Sequence, residues 1–164
     1  MSEIQPLNLN DKSKNAPDTK LVGDLGENLA AEFLVRRGFR LVCSNFKVPI
    51  GRNTRNAIVT GEIDLIAFDE DVLCFIEVKT RSSDDFASPL DAINLRKQRQ
   101  IIRTAKVYRK IFNLSGIRFR YDAVSIVLKK NKHSESEIEI FKNFWTEAKF
   151  KKKFWSDEFE FISR

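Results

Sequence analysis

Four charged residues interrupt apolar runs that should be continuous. The stretch from Gly61 to Arg81, GEIDLIAFDEDVLCFIEVKTR, has the composition of two strands joined by an acidic turn, yet it carries Glu62, Asp64, Glu77 and Lys79 within the runs. Strand side chains alternate between faces, so Glu62 and Asp64 share one face, as do Glu77 and Lys79. A two-residue turn at Glu70-Asp71 pairs Asp69 with Val72, and a four-residue loop pairing Phe68 with Leu73 gives the same register. That register sets Asp64 opposite Glu77 and Glu62 opposite Lys79. Opposed Cβ atoms are roughly 4.5–5.5 Å apart, and two carboxylates at that separation on a half-dry strand repel each other. Either one carboxyl is protonated or a cation lies between them. A divalent ion is the economical answer, with Lys79 adding a fixed positive charge beside the site. Glu62 and Lys79 also fit a plain cross-strand ion pair, but that leaves Asp64 against Glu77 without a reason.

The residue inventory narrows the chemistry. The single histidine, His133, lies in the polar stretch KKNKHSESE, which argues against chemistry built on histidine bases or histidine metal clusters. A metal here must be held by carboxylates, which select hard cations such as Mg2+ or Mn2+. Cys43 and Cys74 form no CxxC pair and sit in strand-like runs, as buried reduced thiols do. The N-terminal stretch lacks the apolar segment of a signal peptide, and no run approaches a membrane span, so a cytoplasmic protein with no membrane partner is expected.

Charge is laid out in blocks. Phe33–Gly61 holds six basic residues and no acid; Glu62–Asp91 holds nine acids and two bases; Ala92–Tyr121 holds nine bases and no acid. The whole chain of 164 residues carries a net charge of +6. An acidic centre between basic flanks suits an enzyme acting on a phosphate backbone, with cations at the centre and the polyanion held at the sides. Segregated solvated faces would look the same in any one block.

The elements that must position these groups follow from periodicity. Residues 19–37 predict a helix with Leu25, Leu29, Phe33 and Leu34 on one face, stopped at Gly38. Residues 39–46 predict a strand, and 47–60, with Pro, Gly and Asn, a long connection decorated by Arg52 and Arg55. Strands are expected at 62–68 and 72–80. Residues 88–112 predict a helix capped by Ser88, with Pro89 at its first position. Its inner stripe is Ile93, Lys97, Ile101, Ala105, Tyr108 and Phe112, with Lys97 where an apolar residue belongs. A strand at 117–128 and an edge strand at 136–144 complete an α/β layered domain, a small mixed β-sheet flanked by helices in the order α-β-β-β-α-β with the extra edge strand last. The division is a flexible N-terminal tail at 1–18, the domain at 19–145 and a charged aromatic tail at 146–164.

An acid late in one strand followed by E-x-K in the next, here Asp64 and then Glu77-Val78-Lys79, resembles the PD-(D/E)xK nuclease core. GDLGENLAAEFLVRRGF, GEIDLIA, FIEVKTR, the downstream helix with Lys97, and RYDAVSI follow in an order that resembles the YraN family of bacterial proteins, related through its core to archaeal Holliday-junction resolvases. The resemblance covers about residues 23–144. It implies a restriction-endonuclease-like fold and a metal-dependent endonuclease hydrolysing DNA, branched or single-stranded, with Mg2+ or Mn2+ as cofactor. It implies Asp64 and Glu77 as metal ligands, Lys79 as the residue that positions or activates the attacking water, and Glu27 as a further catalytic acid. Glu62 belongs to the family motif without an implied role. The family usually passes from its Asn-containing strand to GEID in a few residues, whereas Asn45 and Gly61 are separated here by fifteen.

The expected nucleic-acid contacts are Arg52 and Arg55 in the connection and Arg96, Lys97, Gln98, Arg99 and Arg103 on the second helix, where Lys97 and Gln98 reach towards the site. Two-fold symmetric cutting would call for a homodimer. The rival readings are a nucleic-acid-binding module of the same fold that does not cut, and a small protein-interaction domain with a structural charge network.

Overall fold

A computed structural model describes residues 19–82, 89–129 and 136–150. The N-terminal tail, Ser88, the His133 loop and the C-terminal tail beyond residue 150 lie outside the described residues. Helix α1 (Thr19–Arg36) is followed by strands β1 (Arg40–Arg52), β2 (Ile58–Asp69) and β3 (Val72–Ser82). A 3-10 turn (Pro89–Ala92), helix α2 (Leu95–Ile111), strands β4 (Phe119–Leu128) and β5 (Glu137–Trp145) and a 3-10 turn (Glu147–Phe150) complete the order.

The five strands form one mixed sheet in the order β1-β2-β3-β4-β5. Neighbours are antiparallel except β3 and β4, which are parallel and joined through α2, the crossover that parallel pairing requires. The architecture is the α/β layered domain expected from the sequence, and the edge strand at its end is present. One apolar cluster lies beneath α2, built on Ile63, Phe75, Ile101, Ala105, Tyr108 and Tyr121; the other lies beneath α1, built on Ala30, Leu34, Leu65, Ile76, Val124 and Ile126.

Helix α1 ends as its sequence signals. Gly38 adopts φ 89°, its N–H donates to the Val35 carbonyl, and the Phe39 N–H donates to the Leu34 carbonyl. This is a Schellman stop, in which glycine escapes the Cβ penalty of left-handed backbone. The buried face differs from the expected stripe. Gly26, Ala30 and Leu34 point inward, Leu29 and Phe33 are half-buried, and Leu25 is 49% exposed. Small residues win because the helix lies close to β3: a Cβ on Gly26 would stand 1.8 Å from Thr80 Oγ1.

Two element boundaries are corrected. The connection expected at 47–60 is mostly strand. β1 runs on to Arg52, and only a short turn separates it from β2 at Ile58. Pro49 is tolerated because β1 is the edge of the sheet, where a missing N–H costs no ladder bond, and the register shifts between Pro49 and Gly51. Helix α2 starts at Leu95 rather than 88, because Asn94 is its cap: Asn94 Oδ1 accepts the Lys97 N–H at 3.0 Å. Within the expected stripe Ile93, Ile101, Ala105 and Tyr108 are buried, whereas Phe112 is 53% exposed and packs its ring on Tyr108 at 4.6 Å. Cys74 is fully buried, Cys43 half-buried, and both are free thiols.

Candidate metal centre

The hairpin register matches the sequence arithmetic as far as it runs. Asp69 pairs with Val72 and Phe68 with Leu73, and the ladder continues to Leu65–Ile76. There β2 and β3 part. In the same register the Val78 N–H would donate to the Ile63 carbonyl; it donates instead to Asp64 Oδ2, at 2.7 Å. The carboxylate side chain takes over a ladder bond, and the two strands open around it.

On the next step of β3, Glu77 faces the α2 layer together with Lys79. Glu77 is 0% exposed and Asp64 7% exposed, so both acids sit out of water. Lys79 Nζ lies 2.6 Å from Glu77 Oε1, and Lys97 Nζ, arriving from α2, lies 3.1 Å from the same oxygen. The lysine that seemed misplaced in the helix stripe therefore has its reason. Glu77 Oε2 is buried and has no hydrogen-bond partner among the described residues.

The electrostatics follow from this geometry. Burial raises the Asp64 carboxyl to about 7, and the charge of Glu77 adds to the rise; the Val78 N–H and the two lysines oppose it. Burial works to lower the Lys97 ammonium, but Glu77 and Asp64 outweigh it and hold it above its ordinary value.

The residues fit a hard divalent cation in one way. An orphaned buried carboxylate oxygen on Glu77 and the second oxygen of Asp64 are oxygen donors. Among the described residues no third acid, histidine or cysteine joins them in a metal-ligating group. Two carboxylates are what Mg2+ commonly takes from a protein, the remainder of its octahedron coming from water and substrate phosphate.

The other candidate residues are spread around this centre. Glu62 does not meet Lys79. It pairs across the other side of β2 with Lys47, Nζ to Oε1 at 3.0 Å, because the β2–β3 ladder has ended before it. Glu27, half-buried on α1, accepts Asn45 Nδ2 at 2.7 Å and raises the Lys47 ammonium as a lesser neighbour after Glu62. Gln98 is buried, and its Nε2 donates to the Ile93 carbonyl at 2.8 Å. Arg52 Nη1 donates to the Asn56 carbonyl at 2.7 Å and so holds the hairpin turn. Arg103 Nη2 donates to the Ile50 carbonyl. Arg55, Arg96 and Arg99 are exposed, with Arg99 over the Phe150 ring at 5.3 Å.

Sequence reasoning missed Lys47 and Asn45, the partners of Glu62 and Glu27. Lys47 lies two residues beyond Asn45 in a stretch read as the start of a loop. Extending β1 through it would have shown the pairing.

An α/β domain with two buried carboxylates and a lysine where adjacent strands diverge is a restriction-endonuclease-like domain in its layout. The chain belongs to the uncharacterised protein family UPF0102, whose model matches residues 26–126; these are the proteins that the motifs resemble. A UPF0102 protein of Prosthecochloris aestuarii is 38% identical over 130 residues, covering 77% of this chain and 94% of its own. A UPF0102 protein of Caldanaerobacter subterraneus is 36% identical over 113 residues, covering 69% of this chain and 84% of its own. Among solved structures, the crystal structure of SSO0001 aligns with 82% of this chain and 56% of that chain at 15% identity, with a TM-score of 0.36. Among the described residues no helix is long and apolar enough to cross a membrane.

Proposed function

We propose that the protein is a metal-dependent endonuclease that hydrolyses phosphodiester bonds in DNA. The observation that carries this reading is the unpartnered Glu77 Oε2, buried beside an Asp64 whose carboxyl is pushed up to about 7. A buried carboxylate oxygen without a protein partner is the donor that a bound cation would use.

Asp64 and Glu77 would hold Mg2+ or Mn2+. Bound there, the cation supplies a polarised phosphate and an attacking water of lowered pKa. Lys79, 28% exposed at its side chain, faces both the carboxylates and solvent. It orients the water and stabilises negative charge as it develops on the phosphate. Lys97, placed on the same oxygen of Glu77, adds a second positive charge and draws the α2 layer to the reacting group. Asp64 keeps its place through the Val78 N–H, so the ligand is fixed by backbone rather than by a mobile partner. This reading implies a cytoplasmic protein, a nucleic-acid partner and, for cutting at symmetric positions, a homodimer.

A second reading has its own observation. Glu77 Oε1 already carries two lysines, which is enough to neutralise it without a metal. A DNA-binding module that does not cut would show the same pair.

The test is nicking of branched and single-stranded DNA with Mg2+ or Mn2+. Asp64→Ala and Lys79→Ala are each expected to lower the rate by a factor on the order of 100 or more. Activity that survives both changes overturns the nuclease reading, as does an Mn2+-soaked crystal with no ion at Asp64 and Glu77. Salt-sensitive binding without cleavage in any divalent metal selects the module.

A further inference from the structure

The two acid-free blocks of the sequence meet in space. The hairpin arm formed by the distal ends of β1 and β2 lies against α2. Gly61 makes the approach possible: a Cβ there would stand 2.0 Å from Thr104 Oγ1 and 2.9 Å from Ile50 Cγ2. Two side chains of α2 fasten the arm by its backbone. Gln100 Nε2 donates to the Thr60 carbonyl at 3.0 Å, and Arg103 Nη2 to the Ile50 carbonyl at 2.5 Å. A groove of about 250 Å³ remains between arm and helix, lined by Ile50, Val59, Arg96, Arg99, Gln100 and Arg103. It holds three guanidinium groups and no acid. Arg96 and Arg99 are exposed and form no ion pair among the described residues. Arg96 of the lining precedes Lys97, which touches Glu77.

We infer that this groove holds the sugar–phosphate backbone of one polynucleotide strand and leads it to the carboxylate pair, an assignment that rests on the proposed nuclease reading. Its size decides for one strand. A pocket for a drug-sized ligand occupies roughly 300–1,000 Å³, so this groove admits a phosphate with part of its sugar, the backbone of one strand at a time. Its chemistry decides for backbone over base. Arginines match phosphate oxygens bidentately, and the lining has no aromatic ring on which a base could stack. Arg96 and Arg99 are three residues apart on α2, about 4.5 Å along its axis, so both reach one short stretch of backbone. Arg96 and Arg99 are the phosphate contacts; Gln100 and Arg103 are positioning residues that hold the arm as the opposite wall.

The experiment is a fluorescence-anisotropy titration of the full chain with a labelled oligothymidylate of about 20 nucleotides, in metal-free buffer so that nothing is cut. Arg96→Ala/Arg99→Ala is expected to raise Kd at least tenfold. It is also expected to reduce the log–log salt slope by about 1.4, since each phosphate contact on a single strand contributes about 0.7. Arg36→Ala/Arg37→Ala removes the same charge from the C-terminal end of α1 and the turn after it, in the other layer, and is expected to change Kd less than twofold. The matching duplex should lose less affinity than the single strand in the groove variant. An unchanged Kd, an equal loss in the α1 variant, or equally effective competition by poly-glutamate overturns the assignment. If the groove variant loses binding while the wild type cleaves no DNA in any metal, the groove stands and the nuclease reading falls. If the wild type cleaves and the groove variant cleaves with unaltered KM, the groove falls and the nuclease reading stands.

Discussion

Glu77 on β3 and Asp122 on β4 are both 0% exposed, and they point to opposite faces of the same parallel strand pair. Glu77 faces α2 and Asp122 faces α1. Asp122 is satisfied on both oxygens. Oδ1 accepts the Asn143 N–H at 2.7 Å, and Arg120 Nε lies 2.9 Å from each oxygen. Arg120 also reaches Asp69 at 2.6 Å, where Lys142 arrives at 2.7 Å, and these two cations hold the Asp69 carboxyl below its ordinary value, the Lys142 hydrogen bond foremost. Glu77 keeps one oxygen with neither ion pair nor hydrogen bond among the described residues, and its neighbour Asp64 is shifted upward. One cluster is closed and ties β4 to the bulge of β5 at Asn143. The other is left open at the point where β2 and β3 part. Protein groups satisfy Asp122 completely and, among the described residues, leave the Glu77 Oε2 without a partner.

The difference can be broken from either side. The largest effect should come from Asp122→Ala, which leaves Arg120 with Asp69 alone and strands the Asn143 N–H in the interior. It is expected to cost about 3–5 kcal/mol in urea unfolding, with little soluble protein at 37 °C. Asp64→Asn should do the reverse. It removes a like charge and keeps an acceptor for Val78, so the urea midpoint holds or rises, while cleavage falls by a factor on the order of 100. A parallel fall in stability and activity would make the open cluster structural and remove the distinction.

pH should separate the two with opposite signs. Folded Asp64 binds its proton up to about pH 7, whereas the unfolded side chain releases it near 3.8, so the folded state holds more protons between those values. Its contribution is therefore complete at low pH and is lost as pH rises towards 7. Asp69 is shifted downward, so its contribution is present above the unfolded value and is lost as pH falls. Thermal melts of the metal-free protein across this range should show a downward slope that Asp64→Asn removes and Asp69→Asn does not. Lys142→Met should give the smallest effect. Its side chain is 52% exposed, so the loss should stay below about 1 kcal/mol.

What the sequence made legible was local. The Asp69–Val72 turn and the register behind it follow from two apolar runs and two acidic turn residues. Lys97 announced itself by standing in an apolar stripe, and its partner proved to be Glu77. What stayed hidden depended on neighbours far along the chain. Pro49 and Gly51 read as loop because nothing local says that β1 is an edge strand. Asn94 displaced Ser88 as the cap because a 3-10 turn intervenes before α2. Asp122 carried a signal that was available. An acid in an apolar run with Arg120 two residues earlier shares its face with that arginine, so the pair can be read from alternation alone.

The exchange of a backbone acceptor for a side chain at Asp64 also bears on what the family can vary. Because Val78 is served by the carboxylate, β3 asks nothing of β2 beyond Asp64. The arm draws its support from α2, through Thr60, Gly61 and Ile50. Residues can therefore be added to or removed from the turn between Arg52 and Ile58 without moving Asp64 or Glu77. The carboxylate pair is insulated from insertions in this turn, and a longer or shorter arm would change only how far the sheet reaches past α2.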